Sequence, residues 1–470
     1  MLLNNNAVIK AKPLHFSHQL QPEALFEHFA HQPWAMWLDS CQSEHVDSRY
    51  DIIVWQPEIT LTTTGKNTCV DYLSEKRSEN SLDDPLTILQ RVQQAFYQNI
   101  EIQASELPFM TGAVGHFSYD LSRRFEQIPS QADQDIHLPE MAVGIYSHAI
   151  IYDNKKQQYW LIADENQLDE IENHLNKMIR EGIAFPLEPF KLLQTWQANM
   201  SAQQYQEKFT KIQQYLLSGD CYQINLTQRF SSHYQGEEFQ AYKELRNANQ
   251  APFSAFICLA DYRILSISPE RFLQVNHNKV QSKPIKGTKP RSLDSAQDNE
   301  LAKALQHSEK DKAENLMIVD LLRNDISKVC VPGSVKVPTL FAVESFPAVH
   351  HLVSTVVGEL ENQFDATDLL RGSFPGGSIT GAPKISAMEI IDELEPQRRS
   401  IYCGSIGYIS ACGNMDTSIT IRTLICDKTR EQNTIHCWAG GGIVADSNVD
   451  AEYQETYDKV NKILPVLAKL

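Results

Sequence analysis

The feature that most constrains the fold is a series of closely spaced strand patterns near the carboxyl end of the chain. Segments 405–410, 417–426 and 434–444 are rich in β-branched residues, and turns around Gly413 and at 427–432 separate them. Connections this short join antiparallel neighbours, because a parallel pair needs a crossover of about a dozen residues or more. We therefore predict an antiparallel meander in this part of the chain.

Helical patterns lie on both sides of these strands, but they do not alternate with single strands in a βαβ rhythm. Segment 298–326 reads as one long helix, or as two helices with a break near Ser308. The arrangement indicates an α+β protein rather than a doubly wound nucleotide-binding sheet. Further helices are predicted at 23–30, 85–99, 167–182 and 201–217, after Pro383, and from Asp446-Ser447 to Ile463. Further strands are predicted at 50–55, 141–152 and 222–230.

The length and composition allow a large folded unit with more than one domain. The 470 residues are 42% hydrophobic, which supports an extensive core. The stretch AFPLEPF, 184–190, is typical of a linker because it contains two prolines. We place a soft boundary there, between an amino-terminal region, 1–190, and a carboxyl-terminal region, 200–470.

Charge and cysteine use exclude several classes of function. The 42 basic and 59 acidic side chains give a net charge of −17, which repels the phosphate backbone of nucleic acids. The nine cysteines show no CxxC pair and no zinc-ligand spacing, so we expect reduced thiols in a cytoplasmic protein. No apolar run approaches the roughly 18 residues of a membrane span, so we expect no membrane partner.

Three glutamates are candidate ligands for a divalent cation. Glu452 and Glu455 lie three residues apart in the last predicted helix, so their carboxylates project from nearly one face. Glu314 lies where a polar helical segment becomes apolar. A solvated surface is the simpler interpretation of such a pair. If the three carboxylates converge, they form an oxygen-only site that suits Mg²⁺.

Two glycine-rich segments are candidate sites for an anionic ligand. Segment 372–384, GSFPGGSITGAPK, precedes a predicted helix, and Gly440, Gly441 and Gly442 end a predicted strand. Glycine lets backbone amides approach a ligand closely, and a helix amino terminus offers free N–H groups to an anion. A plain surface loop is the alternative for segment 372–384.

Three further side chains have surroundings that admit both a structural and a functional interpretation. Arg422 lies within a predicted strand and needs a partner, either a substrate carboxylate or an internal acidic side chain. His351 lies in a β-branched run, where a core histidine is the simpler interpretation. Lys286 belongs either to a solvated basic loop or to a catalytic site, where an amine nucleophile requires a pKa well below about 10.4.

A set of ordered motifs resembles those of the chorismate-utilising enzymes, a family that includes anthranilate, isochorismate and salicylate synthases. The resemblance is specific from 201 to 470 and weaker in the amino-terminal third. It implies an α+β fold of the anthranilate synthase component I type, with two antiparallel β-sheets packed face to face and helices outside. The two halves of the chain are then expected to interleave in one globular unit. The motifs are GDCYQINLT, SPERF, PIKGT, AENLMIVDLLRND, HLVSTVVG, GSFPGGSITGAPK, RRSIYCGSIGY, SITIRT and AGGGIVADS followed by ExxE.

Two positions separate the reactions within this family. Isochorismate and salicylate synthases place a water-activating lysine where this chain has Gln223, and anthranilate synthases typically read PIAGT where it reads PIKGT. The lysine form is typical of members that aminate chorismate at C4 to 4-amino-4-deoxychorismate, for 4-aminobenzoate and folate biosynthesis. The resemblance then implies that Lys286 attacks C2 and that Glu270 protonates the departing C4 hydroxyl. Ammonia next enters at C4 and displaces the lysine.

The same resemblance implies a metal site and a set of substrate contacts. Glu314 and Glu455 are expected to bind Mg²⁺, with Glu452 close by, and His351 is expected near the reacting C4 side. Ser40 and the loop 251–256 are similar to the region where anthranilate synthases bind regulatory tryptophan. The residues expected to hold the two carboxylates of chorismate are Thr288, Ser378, Lys384, Tyr402, Arg422, Gly440, Gly441 and Gly442.

The expected source of ammonia is a second protein. The sequence has no GxCxG elbow of a glutaminase nucleophile, so we expect a separate glutaminase subunit as partner. Two alternatives remain at this stage. Anthranilate synthase component I would share the fold and the partner class, but Lys286 argues against it. A non-catalytic relative that binds chorismate or tryptophan would not need the full set of candidate catalytic side chains.

Overall fold

The computed structural model describes residues 7–16, 20–43, 45–183, 188–292, 294–345 and 349–470. Residues 184–187 of the predicted boundary segment lie outside these ranges. The helices of the described residues are α1 (Pro22–Phe26), α2 (Pro85–Tyr97), α3 (Leu168–Glu181), α4 (Ala202–Ser218), α5 (Glu238–Asn249), α6 (Ser295–Gln306), α7 (Glu309–Ser327), α8 (Ala366–Ser373), α9 (Lys384–Leu394), α10 (Val449–Asp458) and α11 (Leu464–Leu467). Short 3₁₀ turns occur at Tyr119–Arg124 and Gly377–Ile379.

The strands of the described residues fall into two sheets. They are β1 (Val8–Leu14), β2 (Met36–Asp39), β3 (Tyr50–Val54), β4 (Ile59–Thr64), β5 (Asn67–Tyr72), β6 (Arg77–Ser81), β7 (Glu101–Ile102), β8 (Gly112–Phe117), β9 (Met141–Tyr146), β10 (Ala149–Asp153), β11 (Gln158–Asp164), β12 (Lys191–Leu192), β13 (Gln197–Ala198), β14 (Gln223–Gln235), β15 (Phe253–Cys258), β16 (Tyr262–Ser268), β17 (Arg271–Asn276), β18 (Lys279–Ser282), β19 (Ile285–Pro290), β20 (Lys336–Ser345), β21 (Val349–Glu359), β22 (Gly381–Ala382), β23 (Ser405–Ser410), β24 (Met415–Ile419), β25 (Thr423–Asp427) and β26 (Thr434–Ile443).

Both sheets combine strands from distant parts of the chain. One sheet follows the order β12-β14-β26-β25-β16-β15-β2-β3-β10-β11-β1-β7, and the other follows β19-β21-β18-β17-β24-β23-β8-β9-β4-β5-β6. Neighbouring strands pair in antiparallel fashion, except that β1 pairs with β7 in parallel. Strands of the amino-terminal third therefore pair directly with strands of the carboxyl-terminal part, as in the contacts of β2 with β15 and of β8 with β23.

The core lies in layers on either side of the first sheet. In β15, Ala255 and Ile257 contribute to the apolar layer that also contains residues of the second sheet, whereas Phe256 and Cys258 face the helices outside. This alternation follows from the two-residue period of a strand, and both faces are apolar because both are covered. Full burial of a side chain such as Phe256 contributes about 1.5–3 kcal/mol. The predicted α+β fold with two antiparallel sheets packed face to face is confirmed.

The predicted helix boundaries are largely confirmed. The break near Ser308 is real: α6 ends at Gln306, and the Ser308 side chain accepts a hydrogen bond from the amide of Asp311 at the start of α7. The last helix differs from the prediction, because Asn448 rather than Ser447 caps α10 and the helix ends at Asp458. No helix of the described residues is long and apolar enough to span a bilayer.

Two predicted strands are each two strands in different sheets. Segment 141–152 is divided into β9 and β10, and segment 417–426 is divided into β24 and β25. In the second case Arg422, with φ of 51°, lies in the break where the chain passes from one sheet to the other. The predicted meander is wrong at this point, since β24 and β25 belong to different sheets. The two-residue alternation of a strand continues unchanged through such a crossing, so the sequence pattern does not reveal where the chain passes from one sheet to the other.

Candidate active site

Five parts of the fold meet around Lys286. They are strands β19 and β21 at one end of the second sheet, the ends of β14 and β26 in the first sheet, helix α7, helix α10 and the 3₁₀ turn at Gly377–Ile379. We call the cluster of Lys286, Glu270, Glu314, Glu452 and Glu455 the lysine–glutamate site. Its members come from places that are up to 185 residues apart in the sequence, from Glu270 to Glu455.

Lys286 lies on β19 opposite Leu352 of β21, next to an irregularity in the strand pairing. Gly287, with φ of 67°, provides that irregularity, and a Cβ at this position would lie 2.8 Å from the side chain of Asp311. The bulge therefore lets α7 approach the strand closely. The Nζ atom of Lys286 donates a hydrogen bond of 3.3 Å to the carbonyl oxygen of Ser378.

The surroundings of Lys286 favour its neutral amine. Burial lowers its pKa from the ordinary value, and the positive charge of Lys459 acts in the same direction. The carboxylates of Glu314 and Glu270 raise the pKa of Lys286, but the net shift is downward. Desolvation thus outweighs charge attraction at this amine. The direction matches the requirement for an amine nucleophile.

Glu270 follows strand β16 and is 6% exposed. Burial raises its pKa above the ordinary value, while the hydroxyl of Ser378 and the ammonium of Lys286 act in the opposite direction. The net upward shift keeps the carboxyl protonated to higher pH than a surface glutamate. A proton donor near neutral pH requires this property.

Glu452 and Glu455 face Gly441 from α10. A Cβ at Gly441 would lie 3.1 Å from both Oε2 of Glu452 and Oε1 of Glu455, so glycine leaves room beside the two carboxylates. Oε1 of Glu452 accepts a hydrogen bond of 2.7 Å from the Ser447 hydroxyl, whereas its Oε2 is buried without a partner. A buried, unpartnered carboxylate oxygen is costly and is typical of a ligand site.

Two lysines lie among these carboxylates. Lys459 is 2.6 Å from Oε1 of Glu455, and Lys310 lies 3.9 Å from Oε1 of Glu314 and 4.0 Å from Oε1 of Glu452. In the described part of the chain, no group of three or more His, Cys, Asp or Glu side chains is arranged closely enough to hold a metal ion. The three predicted ligands therefore share one region without forming a closed ligand set.

The three glutamates differ in their electrostatic environment. Burial raises the pKa of Glu314 and of Glu452 above the ordinary value. Burial also acts to raise the pKa of Glu455, but Lys459 and Lys310 more than offset this effect, so its pKa lies below the ordinary value. Glu455 is therefore the most readily ionised of the three.

Two of the predicted carboxylate-binding residues, Thr288 and Arg422, lie near His351. The hydroxyl of Thr288 and Nδ1 of His351 are 2.9 Å apart. Burial and the charge of Arg422 lower the pKa of His351 to about 3, so the imidazole is neutral. Burial lowers the pKa of Arg422 as well, and Glu270 acts against this effect. Arg422 is half-buried, and no described side chain or carbonyl forms a hydrogen bond or ion pair with its guanidinium.

The ends of β14 and β26 form the floor of the region. Asn225 of β14 pairs with Gly442 near the end of β26, and Gln223 pairs with Ala382 of β22. A Cβ at Gly442 would lie 2.7 Å from Nε2 of Gln223. The carbonyl of Gly440 accepts a hydrogen bond of 2.8 Å from Lys459. Tyr402 is buried and stacks on Trp438 at 6.1 Å between ring centroids. The glycines therefore lie where close approach is needed.

Lys384 is not part of this cluster. Its Nζ donates hydrogen bonds of 2.6 Å to Asp325 of α7 and 2.9 Å to the carbonyl of Ser373. Burial lowers the pKa of Lys384, and Asp325 is the nearest group that raises it. In this structure Lys384 attaches the glycine-rich loop to α7, whereas Ser378 of the same loop contacts Lys286.

Ser40 lines a separate cavity of about 320 Å³ between the two sheets. The structure brings together the two sequence segments that suggested a regulatory site, because Leu38–Ser40 and Pro252–Ala255 both line this cavity. The Ser40 hydroxyl donates a hydrogen bond of 2.6 Å to Asp51 and accepts one of 2.8 Å from Asn154.

Sequence reasoning missed the lysines that accompany the carboxylates. Lys310 precedes Glu314 by four residues and Lys459 follows Glu455 by four, so each pair lies on one helix face. The spacing was therefore visible in the sequence. It is also common on solvated helices, and only the fold shows that both lysines lie at the lysine–glutamate site.

The fold agrees with what comparison with known proteins shows. The chain matches the family described as chorismate binding enzyme over residues 35–465. The chain belongs to this family.

Within the family, the chain is similar to relatives of two kinds. It is 54% identical to aminodeoxychorismate synthase component 1 of Escherichia coli (strain K12) over 450 residues, which cover 95% of this chain and 96% of the relative. It is 32% identical to anthranilate synthase component 1 of Aquifex aeolicus (strain VF5) over 92% of this chain and 88% of the relative. The crystal structure of anthranilate synthase component I from Streptococcus pneumoniae TIGR4 superposes with a TM-score of 0.77 at 31% identity, and covers 90% of this chain and 93% of that one.

Proposed function

We propose that the chain is a cytoplasmic enzyme that aminates chorismate at C4 with ammonia to give 4-amino-4-deoxychorismate, the reaction of an aminodeoxychorismate synthase component 1. The observation that carries the proposal is the half-buried Lys286 with a lowered pKa, beside a buried Glu270 with a raised pKa. The 54% identity to the Escherichia coli relative supports the same branch of the family. The anthranilate synthase alternative is not favoured, because relatives of that kind are more distant.

In the first step the neutral amine of Lys286 attacks C2 of chorismate. The electrons of the C1–C2 and C5–C6 double bonds shift to C1–C6 and C4–C5, and the C4–O bond breaks. Glu270 donates its proton to the departing hydroxyl, which leaves as water. The raised pKa of Glu270 and the lowered pKa of Lys286 shift each group towards the protonation state that this step needs.

In the second step ammonia attacks C4, the two double bonds return to their original positions, and the C2–N bond to Lys286 breaks. The added nitrogen loses one proton, so the sum of both steps is chorismate plus ammonia giving 4-amino-4-deoxychorismate plus water. The ionised Glu270 of the first step can accept that proton. Gln223 cannot act as a base for water at this site, because an amide does not ionise near neutral pH.

The chemistry of these carboxylates suits a bound Mg²⁺, although the described side chains do not form a closed ligand set. Glu314 and Glu455 would hold the ion, and Oε2 of Glu452 is a buried acceptor without a partner. Carboxylate oxygens are the ligands that Mg²⁺ prefers. When bound, the ion neutralises a carboxylate of chorismate. Arg422, with no partner among the described residues, and the hydroxyl of Thr288 are the groups that we propose for the second carboxylate.

A glutaminase subunit supplies the ammonia in this proposal. The sequence has no glutaminase nucleophile motif, and the similar proteins are named as numbered components. The purified chain should therefore use ammonium salts but not glutamine. Addition of a glutaminase subunit should make the reaction depend on glutamine. Glutamine-dependent turnover by the chain alone would contradict this part of the proposal.

The identity of the product tests the proposed function. The chain is given chorismate, Mg²⁺ and ammonium, and the products are separated by chromatography and identified by mass. We expect a non-aromatic amino product that retains the enolpyruvyl group and that an added lyase converts to 4-aminobenzoate. Formation of anthranilate with release of pyruvate would instead assign the chain to the anthranilate synthase reaction.

The cavity at Ser40 is proposed to bind a tryptophan-like ligand. Its volume of about 320 Å³ accommodates an indole, and Ser40 and Asp39 supply polar groups at its wall. We expect L-tryptophan to raise the melting temperature of the chain, and Ser40→Phe, which fills the cavity, to abolish the effect. An equal shift in Ser40→Phe and the unsubstituted chain would place the ligand elsewhere.

A further inference from the structure

Lys310 lies at the outer side of two carboxylates of the lysine–glutamate site. Its Nζ is 3.9 Å from Oε1 of Glu314 and 4.0 Å from Oε1 of Glu452. The Lys310 side chain is 48% exposed, whereas those of Glu314 and Glu452 are 16% and 7% exposed. The ammonium group therefore lies between solvent and these two carboxylates.

The position of Lys310 in α7 is electrostatically unfavourable for the helix itself. It is the second residue of α7, where the helix dipole opposes a positive charge. Glu309 and Asp311 occupy the same first turn and are the charge type that this position favours. The placement of Lys310 is therefore explained by its carboxylate partners rather than by the stability of α7.

Lys459 and Lys310, the two lysines that accompany the carboxylates of the site, are held differently. Lys459 donates hydrogen bonds to Glu455 and to the carbonyl of Gly440, at 2.6 and 2.8 Å. Lys310 is beyond hydrogen-bonding distance of its two carboxylates, and no described residue accepts a hydrogen bond from it. Lys310 is thus held by charge attraction alone. It can leave without breaking a hydrogen bond.

We propose that Lys310 is the counter-ion of Glu314 and Glu452 while no divalent cation is bound, and that it withdraws when the cation binds. The inference rests on the proposed Mg²⁺ site. Oε2 of Glu452, which has no partner, shows that Lys310 does not satisfy this carboxylate completely. The cation must displace the attraction of one ammonium for two carboxylates about 4 Å away, and the loss of this attraction lowers affinity roughly tenfold even at a water-like dielectric constant.

Direct titration of the cation tests the inference. The chain, Lys310→Met and Lys310→Arg are titrated with MgCl₂ by isothermal calorimetry, without chorismate or ammonia. We expect Lys310→Met to bind Mg²⁺ about tenfold more tightly than the chain, because the competing charge is gone. Lys310→Arg retains the charge and should bind like the chain. Unchanged or weaker binding by Lys310→Met would overturn the inference.

The same helix offers a matched control. Lys312 lies two residues further along α7 and pairs with Glu309 at 3.2 Å, away from the lysine–glutamate site. Lys312→Met removes the same charge from the same helix and should leave the affinity for Mg²⁺ within about twofold. A tenfold gain in this variant would mean that the net charge of α7, and not the contact of Lys310 with the glutamates, controls binding.

Thermal unfolding provides a second measurement that needs no turnover. In a chelating buffer, Lys310→Met should melt below the chain, because two carboxylates lose their counter-ion, and saturating Mg²⁺ should raise its melting temperature more. Glu314→Gln should abolish most of the increase in melting temperature caused by Mg²⁺, both in the chain and in Lys310→Met. If no variant binds Mg²⁺, the inference and the metal site fail together. Identification of the amino product by mass would still support the proposed amination of chorismate.

Discussion

Two clusters of buried charge in this molecule have opposite characters. In the lysine–glutamate site several groups have no hydrogen-bond partner, notably Oε2 of Glu452 and, nearby, the guanidinium of Arg422. In the cluster that we call the Asp39 network, comprising Asp39, Ser40, Asp51, Tyr242 and Arg246, nearly every group is paired. Asp39 accepts hydrogen bonds of 2.7 Å from Arg246 and 2.9 Å from Tyr242.

The difference separates binding from structure. A buried polar group costs free energy unless it is paired, so unpaired groups persist where a ligand completes them. The Asp39 network joins α5 to β2, and apart from Oδ2 of Asp51 its side-chain groups are paired within the protein itself. The comparison predicts that substitutions in the lysine–glutamate site change the reaction without changing stability. Substitutions in the Asp39 network should change stability without changing the reaction.

The largest expected effect is that of Lys286→Ala. Removal of the nucleophile should lower amination of chorismate by more than about 10³-fold, because the covalent route is lost. The melting temperature should change little, since among the described residues the Lys286 side chain gives up a single hydrogen bond, that to the carbonyl of Ser378. Product formation is measured by chromatography. The control is Lys289→Ala on the same strand, which should retain activity.

If Lys286→Ala lowered the rate of amination only slightly, the comparison would fail at its most important position. Amination would then proceed by direct attack of ammonia, and Lys286 would serve only as a charge. A mass increase of the unsubstituted chain after a quenched turnover, absent from Lys286→Ala, would support the covalent route independently.

The second largest expected effect is on stability. Arg246→Met leaves the carboxylate of Asp39 buried without its cation, which typically costs about 3 kcal/mol or more. We expect denaturant unfolding to show this loss, while turnover below the transition is unchanged. Lys243→Met on the same helix removes a half-buried lysine that pairs with Glu27 at 2.7 Å, and should cost about 1 kcal/mol or less. Equal losses in the two variants would contradict the special role of the Asp39 network.

The amount that the sequence revealed differs between the two clusters. Motifs pointed to Lys286, Glu270 and the three glutamates, since chemistry restricts which residue types can serve. The Asp39 network left no such pattern, because pairing of Asp39 with Arg246 joins residues 207 positions apart. Only the pairing of β2 with β15 brings α5 over this part of the sheet. A sequence does not display contacts that depend on the order of strands.

The errors in the fold have a common physical origin. Both divided strands cross from one sheet to the other, at 147–148 and at 420–422. Segment 141–152 is largely apolar on both sides of its crossing, and segment 417–426 keeps the same polar–apolar alternation on both sides. Neither pattern therefore marks the crossing. Lys384 illustrates the same limit in the site, because its pairing with Asp325 depends on how the loop packs against α7. Motif position placed Lys384 correctly in the loop but did not determine its partner.

The smallest expected effect concerns the one incomplete group of the Asp39 network. Burial, reinforced by the charge of Asp39, raises the pKa of Asp51 to about 7, and its Oδ2 is buried without a partner. Between about pH 4 and 7 the folded chain thus holds a proton that the unfolded chain has lost. This contribution to stability is complete below about pH 4 and is lost as the pH rises towards 7.

Asp51→Asn should remove this contribution, because the amide is neutral at every pH. We expect the free energy of unfolding of the chain, relative to that of Asp51→Asn, to fall by about 1–2 kcal/mol between pH 4 and about pH 5.5. Asp169→Asn, whose carboxylate is 89% exposed, should show no such difference. A parallel pH dependence of the chain and Asp51→Asn would show that Asp51 is ionised in the folded state. An unpaired buried charge would then be tolerated outside the lysine–glutamate site, and the absence of a partner would no longer distinguish a binding cluster from a structural one.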